Sequence, residues 1–346
     1  MFKGAVWDSR YRAATPTKLA LFVLVVLILV LGRPAMVLAA GTEAPARSVR
    51  IGYLARTPPG PETVPIWSAF VGRLADLGWV QGRNLTLEPR YANGRPELLP
   101  ALADELVGLR VDVIVASGVS AVLAAKKATA TIPIVIAGAS DPVGFGLVQS
   151  LAHPGANVTG LSDSPGREIE GKRLELLKEV VPHLSRVAMI LDSTSRRDPG
   201  PAYAAAKALR LTLLVSPETA APDEFQRTFL ALIREGAQAL YAPETPVNAR
   251  HRDLIVSLAA KHRLPAIYGS REFVDAGGLM SYGTSFVHLY AQAATYVDRI
   301  LRGARPAELP VEQPSRFELA LNLRTATDLG LTIPASVLIR VDHVVR

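Results

Sequence analysis

The chain has 346 residues, of which 49% are hydrophobic and 20% charged; that is more than one core ordinarily serves, and it suits two lobes of common size rather than a disordered polymer. Cysteine is absent, which excludes a disulfide framework, a thiolate metal site, a cysteine nucleophile and an acylated N-terminal cysteine. The formal charge is +7, and +4 of it lies up to Arg33; the rest is weakly basic, without the dense Lys/Arg stripe and interleaved aromatics of a nucleic-acid surface, so no nucleic acid is expected as partner.

The first element is an address. Lys18 precedes an uncharged apolar run from Leu19 to Leu31, and Val37-Leu38-Ala39-Ala40-Gly41 follows with small residues. A basic start, a short apolar stretch and a Val-x-Ala exit describe a secretory signal over 1–40. The run falls short of the roughly 20 residues that span a bilayer as a helix; an uncleaved anchor is the alternative. The expected location is the periplasm, with tethering to the membrane if the segment stays on.

The body alternates strands with helices. Val49–Leu54 reads as a strand, Val64–Leu77 as a helix stopped by Gly78, Leu85–Tyr91 as a strand and Leu98–Leu109 as a helix. Val111–Ala116, Ile134–Ala137 and Val158–Leu161 read as buried strands, with a helix opening at Ser117-Gly118-Val119-Ser120. A second series follows: a helix from Arg167 to Val180, strands Val187–Leu191, Leu211–Val215, Ala239–Ala242 and Ala266–Tyr268, and helices Phe225–Arg234 and Asn248–His262 between them. After Gly277-Gly278 come a further strand and a helix from Phe286 to Leu301. Strands that alternate with helices in this way imply α/β architecture: two doubly wound parallel-sheet lobes, with right-handed crossovers, joined by a hinge. The expected division is 48–162 for the first lobe with 278–312 returning to it, and 163–277 for the second with 313–346 crossing back.

Loops at the C-terminal ends of parallel strands are where open α/β sheets bind ligands. Ser117, Gly118 and Ser120 start a helix whose free N–H groups suit an anion, or the serines simply cap it. Asp141 could take a ligand's ammonium or hydroxyl, or could cap a helix with Pro142 at its first position. In the second series Asp192-Ser193-Thr194-Ser195, Pro243-Glu244-Thr245 and Gly269-Ser270-Arg271-Glu272 form polar loops at matching places; each alone reads as a turn, and together they make a second rim. The candidate ligand-binding residues are Ser117, Gly118, Ser120, Asp141, Thr159, Ser193, Glu244 and Tyr268. The Gly144-Phe145-Gly146 fragment lacks the third glycine of a dinucleotide fingerprint. No G-x-S-x-G elbow occurs, and none of the six histidines has zinc-site spacing; no catalytic residue, cofactor or metal is expected.

Several blocks carry a resemblance: Ser140-Asp141-Pro142-Val143-Gly144-Phe145-Gly146-Leu147-Val148, Pro154-Gly155-Ala156-Asn157-Val158-Thr159-Gly160, Ala276-Gly277-Gly278-Leu279-Met280-Ser281-Tyr282-Gly283, Leu309-Pro310-Val311-Glu312-Gln313-Pro314, and Phe317–Leu323. In this order they strongly resemble the ABC-type solute-binding family that includes the TrpX-like tryptophan-binding proteins, over about Val49 to Arg346. The resemblance implies a type I periplasmic-binding-protein fold, no catalysis, an amino acid or other small-molecule ligand, and an ABC permease as partner; a monomer is expected. It also implies that Ser117–Ser120 and Asp141 meet the ligand's charged groups and that the block holding Thr159 lies beside the hinge. Two departures stand out. Asp192-Ser193-Thr194-Ser195 replaces an Asn-Pro turn, which bears on the ligand. Tyr290-Ala291-Gln292 replaces an arginine pair, which is expected to bear on the lobe surface or a partner.

The expected mechanism is closure of the two lobes over the ligand. A sensor for a membrane signalling protein would use the same lobes with another partner. An exported hydrolase or isomerase would need an activated nucleophile–base pair. A cytoplasmic LacI-like regulator shares the architecture, but the signal segment and the missing N-terminal helix-turn-helix argue against it.

Overall fold

A computed structural model describes residues 48–346 apart from 59, 61–63, 167, 192–198 and 220. The expected signal segment and Ser193 lie outside the described residues.

Two sheets organise the chain. In the first, β1 (Val49–Ala55), β2 (Leu85–Tyr91), β3 (Val113–Ala116), β4 (Ile134–Ala139) and β5 (Val158–Ser162) lie in the order β2-β1-β3-β4-β5, all parallel. These strands are near-continuous apolar runs because both faces are covered. On one face α1 (Val64–Asp76) and α10 (Phe286–Leu301) press Phe70, Leu74, Ala293 and Val297 onto Ile51, Val113 and Val135. On the other, α2 (Leu99–Gly108) and α3 (Val119–Ala128) bury Leu106, Val122 and Ala125 against Leu54, Ile114 and Ile136. The odd and even residues of each strand thus serve different cores, as a two-residue repeat requires.

The second sheet runs β12-β11-β10-β9-β8-β6-β7, from β6 (Arg186–Met189), β7 (Thr212–Val215), β8 (Ala239–Ala242), β9 (Ala266–Tyr268), β10 (Met280–Thr284), β11 (Phe317–Asn322) and β12 (His343–Val345). All neighbours are parallel except β10 with β11. One face is covered by α4 (Ile169–Val180), α5 (Gly200–Ala208) and the tail, where α11 (Leu323–Asp328) and α12 (Ala335–Leu338) contribute Ala326 and Val337. The other is covered by α6 (Pro222–Arg234) and α8 (Arg252–Lys261) through Phe225, Phe229, Ile255 and Ala259. Helix α6 begins where Pro222 needs no hydrogen bond and Glu224 accepts the Ala221 N–H at 2.9 Å. The expected two-lobe α/β architecture is the observed one.

Three differences from expectation have clear causes. The helix expected over Asn248–His262 is broken at His251, giving α7 (Pro246–Arg250) and then α8; the apolar spacing runs through the break. The helix expected after Asp141 is a series of turns. The return to the first lobe starts at Phe286 rather than at 278, because Met280 and Ser281 pair with Ile267 and Tyr268 and so bind β10 into the second sheet.

The chain therefore passes between lobes three times, after β5, between β10 and α10, and before β11. The crossings lie side by side. Ser162 N–H donates to Glu312 O at 2.9 Å and Glu312 N–H to Gly160 O at 3.0 Å. Ser285 N–H donates to Arg316 O at 3.0 Å, and Thr284 Oγ1 to Asp163 O at 3.1 Å. Gly160 permits this junction: its φ is 126°, and a Cβ there would stand 2.5 Å from both N and O of Ile136 on β4.

Candidate functional site

The strand ends of the two sheets open onto a shared cleft of about 250 Å³. From the first lobe it is lined by Tyr53 and Ala55 at the end of β1, Arg56–Pro58 just beyond, Ser117 after β3, Ile66 and Trp67 on α1, and Phe286 and Tyr290 on α10. From the second it is lined by Glu244 after β8 and by Glu272 at the start of α9 (Glu272–Asp275). The lining, mostly aromatic and apolar with a few polar groups, matches that of small-molecule sites.

The first-lobe wall is aromatic. The Trp67 ring lies 4.7 Å from Tyr53, centroid to centroid, and stacks on Phe70 at 5.4 Å. Tyr91 meets the edge of Tyr53 at 6.0 Å. Tyr290 anchors the polar end of this wall, its hydroxyl 2.7 Å from Ser117 Oγ and 3.2 Å from the Tyr53 hydroxyl. Burial pushes both phenols well above the usual tyrosine range, with each other's proximity adding to the shift of Tyr53. They stay neutral and keep their hydrogen-bonding capacity.

The second-lobe wall rests on a buried cation. Arg173 on α4 is 1% exposed. Its Nε donates to Tyr282 O at 2.7 Å, Nη1 to the Tyr241 hydroxyl at 2.9 Å and Nη2 to Gly269 O at 3.3 Å. The Tyr241 hydroxyl donates in turn to Glu170. Burial works against the guanidinium charge, but Tyr241, Glu170 and Glu244 outweigh it and leave its pKa raised. One side chain thus ties β8, the end of β9 and β10 together beneath the rim. Gly269 completes the arrangement, since a Cβ there would lie 2.3 Å from Glu244 N.

Asp163 is a half-buried acid on the first crossing between the lobes. Its N–H donates to Ala139 O at 3.3 Å and its carbonyl accepts from Thr284. Burial pushes its carboxyl up to about 6.

With this geometry, likeness to known proteins can be read. The family model described as ABC transporter substrate binding protein matches residues 60–345. The chain belongs to that family. It is 25% identical over 265 residues to a tyrosine-binding protein of Clostridioides difficile, covering 76% of this chain and 75% of the relative. A conserved domain protein from Vibrio cholerae superposes with a TM-score of 0.71 at 26% identity, covering 86% of this chain and 100% of the other. An ABC domain in complex with L-Trp from Streptococcus pneumonia superposes with a TM-score of 0.73 at 24% identity, covering 86% and 100%. The ligand-free, open structure of a substrate-binding protein with adhesive properties from Clostridium difficile gives 0.72 at 23%, covering 86% and 99%; the last two likenesses concern the fold.

In this substrate-binding protein the residues singled out by sequence fall into separate places. Ser117 and Glu244 line the cleft. Ser117 does not cap α3; its hydroxyl goes to Tyr290, and the cap position is Gly118 without a side-chain bond. The Gly118 N–H is taken by Gly138 O at 2.8 Å, and Ser120 is exposed at the helix start outside the cleft lining. Asp141 is exposed and uses Oδ1 to accept the Gly144 N–H at 3.0 Å, which holds a turn.

Two expectations are corrected outright. Thr159 is fully buried, and its Oγ1 donates to Leu309 O at 2.6 Å, so it fastens β5 to the segment leading into the third crossing. Tyr268 is 1% exposed and stacks on Phe273 at 4.7 Å in the core behind the second sheet. In both cases the strand repeat points the side chain away from the rim. Tyr290, expected at the lobe surface, is instead 7% exposed and faces the cleft.

Sequence reasoning placed Glu272 in a rim loop but missed Tyr53, Arg56, Trp67, Phe286 and Tyr290 as lining residues. The strand-end rule would have found Tyr53 and Arg56, since β1 is central and its end is as open as that of β3. Nothing local marks Phe286 or Tyr290, because α10 reaches the first lobe only through the second crossing. Among the described residues no group of three potential metal ligands gathers, and no helix is long and apolar enough to cross a membrane.

Proposed function

We propose that this protein binds an amino acid, aromatic by preference, in the interlobe cleft outside the cytoplasm, and delivers it to an ABC importer. The observation that carries the reading is the opposition of an aromatic wall, Tyr53, Trp67, Phe286 and Tyr290, to a carboxylate-bearing rim, Glu244 and Glu272, across one open space. An aromatic ring gains by leaving water against such a wall, and the polar backbone of the ligand needs a few placed partners at its other end. The names of the relatives, one tyrosine-binding and one solved with L-Trp, support the same class.

A ligand that touches both lobes favours the closed arrangement over the open one. A preference of about 10⁴-fold converts a 1:99 population into 99:1. The three crossings supply the pivot, and the closed pair of rims is the surface the permease reads. Thermal denaturation with the amino acids and a panel of other small metabolites tests this. Aromatic amino acids raise the melting temperature, since ligand at about 100 times Kd adds roughly 2.7 kcal/mol. A panel without any shift overturns the reading.

A further inference from the structure

We propose that the second lobe holds a second binding site, separate from the interlobe cleft, for a small organic anion with an apolar body and an oxygen that the Tyr268 hydroxyl can bond. The site is a cavity of about 600 Å³ flanked by α8 and α11. It opens at the edge of the second sheet that faces away from the cleft. Leu264 and Ala266 lie at the start of β9, Leu279 lies just before β10, and Asn322 ends the antiparallel β11. It shares no lining residue with the cleft.

The cavity wall carries an unused donor. Tyr268 is 1% exposed, yet it lines this space. Its ring is fixed by stacking on Phe273 at 4.7 Å. Among the described residues its hydroxyl has no hydrogen-bond partner. It is also not one of the polar atoms sealed off without a partner, which are Asn248 Oδ1 and Ser281 Oγ. The little surface that Tyr268 keeps is therefore its hydroxyl, turned to the cavity. Burial pushes this phenol well above the usual tyrosine range, so it stays protonated and able to donate. A desolvated hydroxyl without a partner is costly, and a ligand oxygen relieves that cost.

The rest of the lining sets the ligand's class. Val256, Ala259, Leu264, Leu279 and Leu329 offer apolar surface. The guanidinium groups of Arg263, Arg324 and Arg346 belong to exposed residues at the opening. Arg263 Nη2 donates to the backbone oxygen of Asp328 at 3.1 Å. None of the three pairs with a carboxylate among the described residues. Of the two acids present, Asp275 is already held by Arg271 Nε and His343 Nε2, each at 3.2 Å. Only Asp328 then stands against three cations, so the opening attracts an anion. Apolar walls with a few placed polar groups are what a small-molecule site requires.

The test uses the full chain and four straight-chain probes that differ only at their ends. These are ω-hydroxyoctanoate, octanoate without the hydroxyl, octanediol without the charge, and ω-aminooctanol with the charge reversed. Calorimetry reads their binding. The hydroxy acid is expected to bind tightest, octanoate and the diol each about 3- to 10-fold more weakly, and the amino alcohol weakest. The margin over the diol should shrink as salt rises. Tyr268→Phe should erase the difference between hydroxy acid and octanoate without lowering the melting temperature, since the hydroxyl has no bond to lose. Arg324→Gln should narrow the gap between hydroxy acid and diol. Ala260→Trp, at an exposed position on the α8 wall, should weaken every probe by filling the opening. If Tyr268→Phe does not fold, the ranking of the probes and Ala260→Trp still decide. Equal affinity for hydroxy acid, octanoate and diol, or no binding by any probe, overturns the site. A hydroxyl preference that survives Tyr268→Phe does the same. So does binding that Ala260→Trp leaves intact and Trp67→Phe removes, which would belong to the interlobe cleft. The cleft's own ligand is decided by its amino-acid titrations in every case.

Discussion

The hydroxyls of Ser117 and Tyr290 lie 2.7 Å apart, although 173 positions separate them in the chain. Ser117 ends β3, and Tyr290 sits on a helix that arrives only after the chain has built most of the second lobe. The contact fixes one end of the aromatic wall, and Tyr53 completes it at 3.2 Å.

Tyr290→Phe leaves the buried Tyr53 hydroxyl and the half-buried Ser117 hydroxyl without their shared partner. A buried polar group that loses its partner costs about 1–3 kcal/mol. Urea unfolding should show a loss of that size, and calorimetry a weaker affinity for aromatic amino acids. Unchanged values in both would mean that the hydroxyl contact is incidental.

Trp67 lines the cleft, whereas Trp79 is 3% exposed and donates its indole N–H to Asp298 at 2.8 Å inside the first lobe. Ligand-induced changes in tryptophan emission should vanish in Trp67→Phe. They should persist in Trp79→Phe, which loses only the indole hydrogen bond, about 1 kcal/mol of stability, because Arg302 Nε still donates to the same Asp298 oxygen at 2.7 Å. The reverse pattern would move the ligand away from α1.

Gly160→Ala combines a φ of 126° with backbone atoms of Ile136 at 2.5 Å from the new methyl. Neither can yield without parting β4 from β5, so a destabilisation above about 3 kcal/mol is expected in thermal or urea unfolding. A loss within the range of ordinary surface changes would show that the crossing can relax.

Arg173→Met removes three hydrogen bonds and leaves Glu170 and Glu244 without their buried cation. Breaking a buried ion network from one side costs about 3–5 kcal/mol. The variant should melt earlier, and if enough folds for titration its affinity should fall because the Glu244 rim is no longer held to β9 and β10.

Stability without ligand should depend on pH through Asp163. Its carboxyl titrates at about 6 in the fold against 3.8 for the ordinary group, so between those values the folded state binds more protons than the unfolded one. This contribution is therefore favourable at low pH and is lost as pH rises towards 6. Asp163→Asn should flatten that part of the melting-temperature profile between pH 4 and 7 relative to the wild type. Parallel profiles would show that the carboxyl is not buried in solution.

Most of the architecture could be read before any coordinates. Alternating apolar strands and amphipathic helices, with loops rich in small and polar residues at the strand ends, specify two doubly wound lobes because local spacing decides which face is buried. Ser117 and Glu244 were reachable by the same logic. Thr159 and Tyr268 were not, because whether a residue near a strand end faces rim or core depends on the register at which the strand stops.

The sequence by itself determined the elements, their burial and the strand ends at which a site could form, since these follow from neighbours within a few residues. Only the tertiary structure decided that β10 stays in the second sheet, that α10 carries Phe286 and Tyr290 back to the first lobe, and that Asp163 comes to lie beside them. Those placements depend on three crossings converging from distant parts of the chain, and the energy of such convergence resides in contacts that no local window contains.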